Sequence, residues 1–235
     1  MNVLAHIDSA NPTINRAAFS PPRARKPIPR PAAPDDEVLT LLRGLGTTVP
    51  FARGAQIFQE RGHANAIYRV LSGTVALWHA RAKGRRHIAD FRLCGEFFGV
   101  VHRPEYTINA EAISDAVVVA YRRGEIDGIC DALPSFRRAI TALVAEPVVL
   151  RRETALAESQ TAKERIVDFL LDVSERAAES GEVKLPFSER DIADRVDLPC
   201  DIVMRSLHDL ESAGALKVRN GGALVINATR LEAFA

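Results

Sequence analysis

Cysteine is scarce in this chain: three residues in 235, at positions 94, 130 and 200, with no CxxC pair. Three thiols cannot all pair within one chain, so a disulfide framework is not expected and a reducing, cytoplasmic setting is. Long apolar runs are missing too. None approaches the ~18 residues that cross a bilayer, and the first thirty residues lack the apolar block of a secretory signal, so neither membrane insertion nor export is expected. Nor is there a glycine-framed nucleophile or a phosphate-binding loop, which predicts a protein that is not an enzyme. What is present suffices for one large or two small cores, since 47% of the residues are hydrophobic.

The net charge of +1 hides an uneven distribution. Residues 1–34 carry seven prolines, five basic residues and one acid. Such a stretch cannot bury enough apolar surface to order itself, and its proline density breaks the amphipathic helix of an organelle transit peptide, so a flexible arm is expected. Residues 35–132 balance twelve basic against twelve acidic side chains, whereas residues 133–159 have a net charge of +1 and residues 160–235 of −4.

From Phe51 onward, short β-branched and aromatic runs are punctuated by Gly54, Gly62, Gly73, Gly84 and Gly95, eight to eleven residues apart. That spacing predicts antiparallel strands, among them Ala66 to Leu71, Thr74 to Trp78, His87 to Leu93 and Ala116 to Tyr121, with Lys83-Gly84 as a hairpin turn. Alternation from His87 to Leu93 predicts one buried and one wet face. Residues 35–132 therefore read as a β-roll or jelly roll.

Past Leu133-Pro134 the period becomes helical. Ile140, Leu143, Pro147, Leu150, Thr154 and Ala157 recur at alternating steps of three and four, a heptad seam that predicts a dimerisation helix over 133–159, with Pro147 as its defect. A second helix from about Ala162 to Ala178 has Ile166, Phe169, Leu170 and Val173 on one face. Ser188 to Asp191 resembles a capping box that opens a short helix, Leu198-Pro199 stops it, and a further helix from Cys200 to Ala213 turns Val203, Leu207 and Leu210 inward. A small hairpin closes the chain around Asn220-Gly221-Gly222. Helix, tight turn, helix and hairpin over 160–235 is the order of a winged helix-turn-helix.

Three stretches carry a family resemblance: Gly54 to Gly73, Gly95-Glu96-Phe97-Phe98-Gly99, and Ala162 to Leu171 running into the helix pair. The chain resembles Crp/Fnr-type transcription regulators, FixK-like members above all, over about residues 40 to 230. The resemblance implies an α+β architecture: an N-terminal β-roll like those that bind cyclic nucleotides, a long dimerising helix and a C-terminal winged helix. It also implies a cytoplasmic homodimer that binds a palindromic operator in double-stranded DNA, contacts RNA polymerase and activates transcription.

With Val203, Leu207 and Leu210 inward, the outward set on the last helix is Cys200, Asp201, Met204, Arg205 and His208. Arg205 is the first candidate for a base contact, because its planar fork matches the two acceptors of guanine. The family has an arginine there as well. Asp201 stands where relatives carry a glutamate, and Met204 where they carry a small residue, often serine; Met can touch a thymine methyl. Ser188 is expected as cap and phosphate neighbour, and Arg190, Lys217 and Arg219 as backbone clamps.

Cyclic-nucleotide-binding relatives keep a glutamate for the ribose and an arginine followed by serine or threonine for the phosphate. This chain has Glu96 and Thr107, but Tyr106 stands in the arginine's place and cannot neutralise a buried phosphate. No cyclic nucleotide is expected, and Glu96 becomes an acceptor for backbone groups. Residues 1–93 contain no cysteine, which excludes a four-thiolate cluster. His63, His79, His87 and His102 show no metal-binding spacing. No cofactor is therefore expected. Cys200, at a helix start, is the one candidate for redox control; Cys94 and Cys130 read as structural. Two other classes stay open, a cyclic-nucleotide-responsive regulator or small-ligand-binding module and a cupin-like metal enzyme. Tyr106 argues against the first and the scattered histidines against the second.

Overall fold

The computed structural model describes residues 40, 42, 44–101, 103–144, 161–177, 183–218 and 224–234. The proline-rich stretch 1–34, His102, Pro147, Leu150, Thr154, Ala157 and Arg219 lie outside the described residues, so the seam expected from Pro147 onward does too.

The β-branched runs form β1 (Thr47–Phe51), β2 (Gln56–Phe58), β3 (Ala66–Ser72), β4 (Val75–Ala80), β5 (Arg86–Arg92), β6 (Phe97–Phe98), β7 (Asn109–Ala112) and β8 (Ala116–Arg122). They pair antiparallel in two four-stranded sheets, β1-β8-β3-β6 and β2-β7-β4-β5. Phe58, Val70, Val75, Leu77, Phe98, Tyr106, Ala110 and Val118 fill the interior. The tight β3–β4 turn depends on Gly73 at φ +79: a Cβ there would lie 2.3 Å from the Asp115 carbonyl oxygen, a distance no other residue can accommodate without moving the chain. The fold is the expected β-roll, with the expected hairpin at Ala82–Gly84.

One face of the roll differs from expectation. The register of β4 and β5 shifts between Leu77 and Trp78, so Ala89 has no partner opposite it and Ile88 and Phe91, three apart, are both fully buried. The outer side of these strands is not wet. Ala76, Ile88, Phe91 and Leu93 share one hydrophobic cluster with residues from the C-terminal third of the chain.

After β8 come α1 (Arg123–Ala132) and α2 (Pro134–Val144). Sequence periodicity missed α1, in which only Ile126 is buried and Gly124 and Gly128 interrupt the pattern. Ile140 corrects the expected seam. It packs with Phe136, Leu42, Ile67, Phe97 and Tyr121 inside the chain's own core, because α2 folds back on the β-roll.

The C-terminal part comprises α3 (Ala162–Ala177), β9 (Val183–Leu185), α4 (Glu189–Val196), α5 (Cys200–Ser212), β10 (Leu216–Val218), β11 (Leu224–Ile226) and α6 (Ala228–Leu231). The expected hairpin is β10–β11, and β9 joins it as a third antiparallel strand. Gly214, at φ +70, turns the chain out of α5. Helix α3 buries Ile166, Val167, Phe169, Leu170, Leu171 and Val173, more than a single face, because it lies between the β-roll and the helix pair.

Candidate nucleic-acid interface

Ser188 and Asp191 form the reciprocal cap anticipated from sequence. The Asp191 backbone N–H donates to Ser188 Oγ at 3.1 Å, while Asp191 Oδ2 accepts from the Ser188 N–H at 2.9 Å and from its hydroxyl at 2.6 Å. A cap of this kind is worth about 1 kcal/mol. Asp197, left-handed at φ 55, ends α4, and Pro199 starts α5. The two helices are held at a fixed angle by Ile192, Ala193, Val196, Val203, Leu207 and Leu210, all buried in one cluster.

On α5, Cys200, Asp201, Met204, Arg205 and His208 are all exposed, as the outward set requires. Arg205 is 75% exposed and pairs along the helix with Asp201, Nη2 to Oδ2 at 2.8 Å, while its Nε donates to the Asp201 carbonyl at 3.3 Å. Asp201 thus braces the guanidinium rather than standing free. Lys217 is exposed on β10, whose next residue donates its N–H to Glu211 Oε1 at 3.0 Å and so ties the hairpin to the end of α5. Arg190 is exposed but lines a cleft with Trp78, Arg85, Arg86 and Glu111, beside the β4–β5 hairpin. Ser188 is half-buried, its hydroxyl committed to the cap.

Ion pairs that sequence periodicity cannot reveal engage Asp191, Asp194 and Asp197. Arg86 of β5 donates to Asp191 at 2.5 Å and to Asp194 at 2.7 Å, and Arg81 to Asp197 at 2.8 Å. Burial works against the Arg86 charge, but Asp194, Asp191 and Glu111 raise its pKa overall. Arg176 of α3 reaches the other way. It bonds Glu96 at 2.7 Å, Asp90 at 3.0 Å and Asp172 at 3.4 Å, and donates to the Phe91 carbonyl. Burial would raise the pKa of Asp90, yet Arg176, Arg92 and Arg195 hold it below the usual carboxylate value. Burial dominates at Asp172 and raises it. Asp172, Asp191, Asp194 and Asp197 are therefore committed to arginines of the β-roll and of α3, away from the outward face of α5.

Inside the β-roll, the Tyr106 ring stacks on Phe58 at 3.8 Å between centroids, and Tyr68 and Phe98 continue the stack. Its hydroxyl donates to the Ala66 carbonyl at 2.8 Å, and burial pushes its pKa up. Glu96 accepts the Leu93 N–H at 3.0 Å as expected, but its larger commitment is to Arg176. Cys94, read as structural, is exposed and donates to the Leu71 carbonyl; Cys130 is partly buried, which raises its pKa. Among the described residues no group of three or more metal-binding side chains gathers, and no helix is long and apolar enough to cross a membrane.

Comparison with known proteins adds to this geometry. The Crp-like helix-turn-helix domain matches residues 164–234, and the cyclic nucleotide-binding domain matches residues 48–132. The nitrogen fixation regulation protein FixK of Bradyrhizobium diazoefficiens is 31% identical over 81% of this chain and 83% of its own. The chain belongs to the Crp/Fnr family. FixK of Azorhizobium caulinodans is 33% identical over 76% of this chain and 74% of its own. The structure of FixK2 from Bradyrhizobium japonicum superposes with a TM-score of 0.74 at 30% identity, covering 81% of this chain and 97% of that one. This Crp/Fnr member is thus a FixK-like, DNA-binding transcription regulator, and α4 and α5 are its helix-turn-helix.

Proposed function

We propose that this regulator binds a palindromic operator as a homodimer and activates transcription through contact with RNA polymerase in the cytoplasm. The domain boundaries expected from sequence, 35–132, 133–159 and 160–235, divide that work into β-roll, dimerising helix and reading head. The observation that carries the reading is the exposed, Asp201-braced fork of Arg205 on the outward face of α5. Such a fork matches the O6 and N7 acceptors of guanine in the major groove. Lys217, Arg190 and Arg219 would serve the phosphates, as would the backbone around Ser188. The dimer draws on Leu143, Pro147, Leu150, Thr154 and Ala157, and the sign of regulation on family membership. Selection of bound DNA from a random pool tests the whole reading. A two-fold symmetric consensus with one guanine-centred core per half is the expected result, and an asymmetric or absent consensus refutes it.

The β-roll is proposed to work without a cyclic nucleotide. Tyr106 supplies no cation and closes the aromatic stack with Phe58, while Glu96 is engaged by Arg176. Calorimetry with cyclic AMP and cyclic GMP is expected to give no heat of binding in the micromolar range; a micromolar dissociation constant overturns this. Thiol control belongs to the same reading. Cys200 is exposed at the start of α5, so its oxidation sets bulk and charge beside the side chains that face DNA.

A further inference from the structure

A recognition helix gains little from presenting a bare apolar side chain to water, yet α5 does so. Met204 is 56% exposed, and among the described residues the other exposed large hydrophobic side chains are Leu71, Leu133 and Val218, none of them on this helix. At about 100° per residue, Asp201, Met204, Arg205 and His208 fall within an arc of roughly 100°, turned away from the buried Val203, Leu207 and Leu210. Met204 therefore shares the face of Arg205. Met204 lies at one edge of that face, about 60° around the helix from the buried Leu207, and Arg205 lies at the other edge.

The polar neighbours on that face are not equivalent to those of a longer acidic side chain. The Asp201 carboxylate is held by Arg205 at 2.8 Å, which makes it a brace for the fork. Three side chains are left on the face, a guanidinium, an imidazole and a thioether, and of these the thioether alone is apolar. In the major groove the one apolar feature on the edge of a base pair is the 5-methyl group of thymine. Methionine is long, unbranched and polarisable, and so adapts to such a small target.

We propose that Met204 is a specificity residue that reads a thymine methyl beside the guanine read by Arg205. The inference rests on the DNA-binding reading above. The two Cα atoms are separated by about 1.5 Å along the helix axis, and successive base pairs by about 3.4 Å, so the thymine lies within one or two base pairs of that guanine.

Uracil in place of thymine removes the methyl and leaves base pairing intact. In the selected operator, one thymine per half-site is expected at which uracil weakens wild-type binding about four-fold, and about fifteen-fold when both half-sites are changed. Met204→Ser should bind the thymine and uracil operators equally, whereas Met204→Leu should keep the preference. Since the side chain is exposed, neither substitution disturbs the core, and the uracil series on the unmodified protein needs no variant at all. A two-fold consensus without a methyl-sensitive thymine near the guanine overturns this inference and leaves the operator reading standing, as does an undiminished preference in Met204→Ser. Failure to select any sequence removes both.

Discussion

Arg205→Ala is expected to weaken binding to the selected operator about ten- to a hundred-fold per half-site, the range for loss of one bidentate guanine contact. In a symmetric complex the loss counts twice. Electrophoretic retardation or fluorescence anisotropy at fixed salt reads it directly. The loss should fall on the specific sequence, so that the variant discriminates poorly between the operator and the same operator with its guanine changed. Arg205→Lys should not rescue it, because a point charge cannot replace a planar fork that meets two acceptors at once. Lys217→Ala provides the contrast. A phosphate contact carries no sequence information, so this variant should lose affinity on all duplexes alike and lower the slope of log K against log salt by about one per subunit. Retention of full operator discrimination by Arg205→Ala would show that the fork is a solvated charge.

The second large effect concerns stability. Arg176→Ala is expected to cost about 3 kcal/mol at neutral pH, because it leaves Asp90, whose side chain is only 13% exposed, to Arg92 at 3.2 Å and takes the ion pair from Glu96, 18% exposed. The sign of its pH dependence follows from the shifts. In the wild type the pKa of Asp90 is depressed, so its contribution is present above the ordinary carboxylate value and is lost as pH falls through the lower, folded value. Without Arg176 the same carboxyl is buried with less compensation, its folded pKa rises, and protonation relieves the strain. The deficit of the variant should therefore shrink as pH falls from 7 towards about 4. Denaturant titrations of both proteins across that range measure it. A deficit independent of pH would show that the arginine acts through packing alone.

Much of the fold was legible because its signals are local. The Ser188 cap, the Leu198-Pro199 stop and the burial of Val203, Leu207 and Leu210 each depend on neighbours within a turn or two, and all appear where the sequence predicts them. The outward face of α5 was legible for the same reason. The ties between the two halves were not. Arg86 and Asp191 are 105 residues apart, and Arg176 and Asp90 are 86 apart. In sequence Arg86 reads as one more charge of a basic hairpin, and Arg176 as a cation suited to a helix C-terminus. Ile140 misled in the opposite direction, since an apolar residue at heptad spacing serves an intrachain core as readily as a second helix. The brace on Arg205 was within reach, because aspartate and arginine four apart on a helix face are neighbours.

The Phe91 ring packs against Phe187 at 4.3 Å and against Phe169 at 5.7 Å, so the two halves of the chain complete one another's interior. The reading head is for that reason a poor candidate for transplantation. Grafted behind a foreign β-roll, it would carry an oily seam made for this partner. A swap of specificity between relatives is better made by exchanging the few outward side chains of α5 than by exchanging the whole C-terminal third.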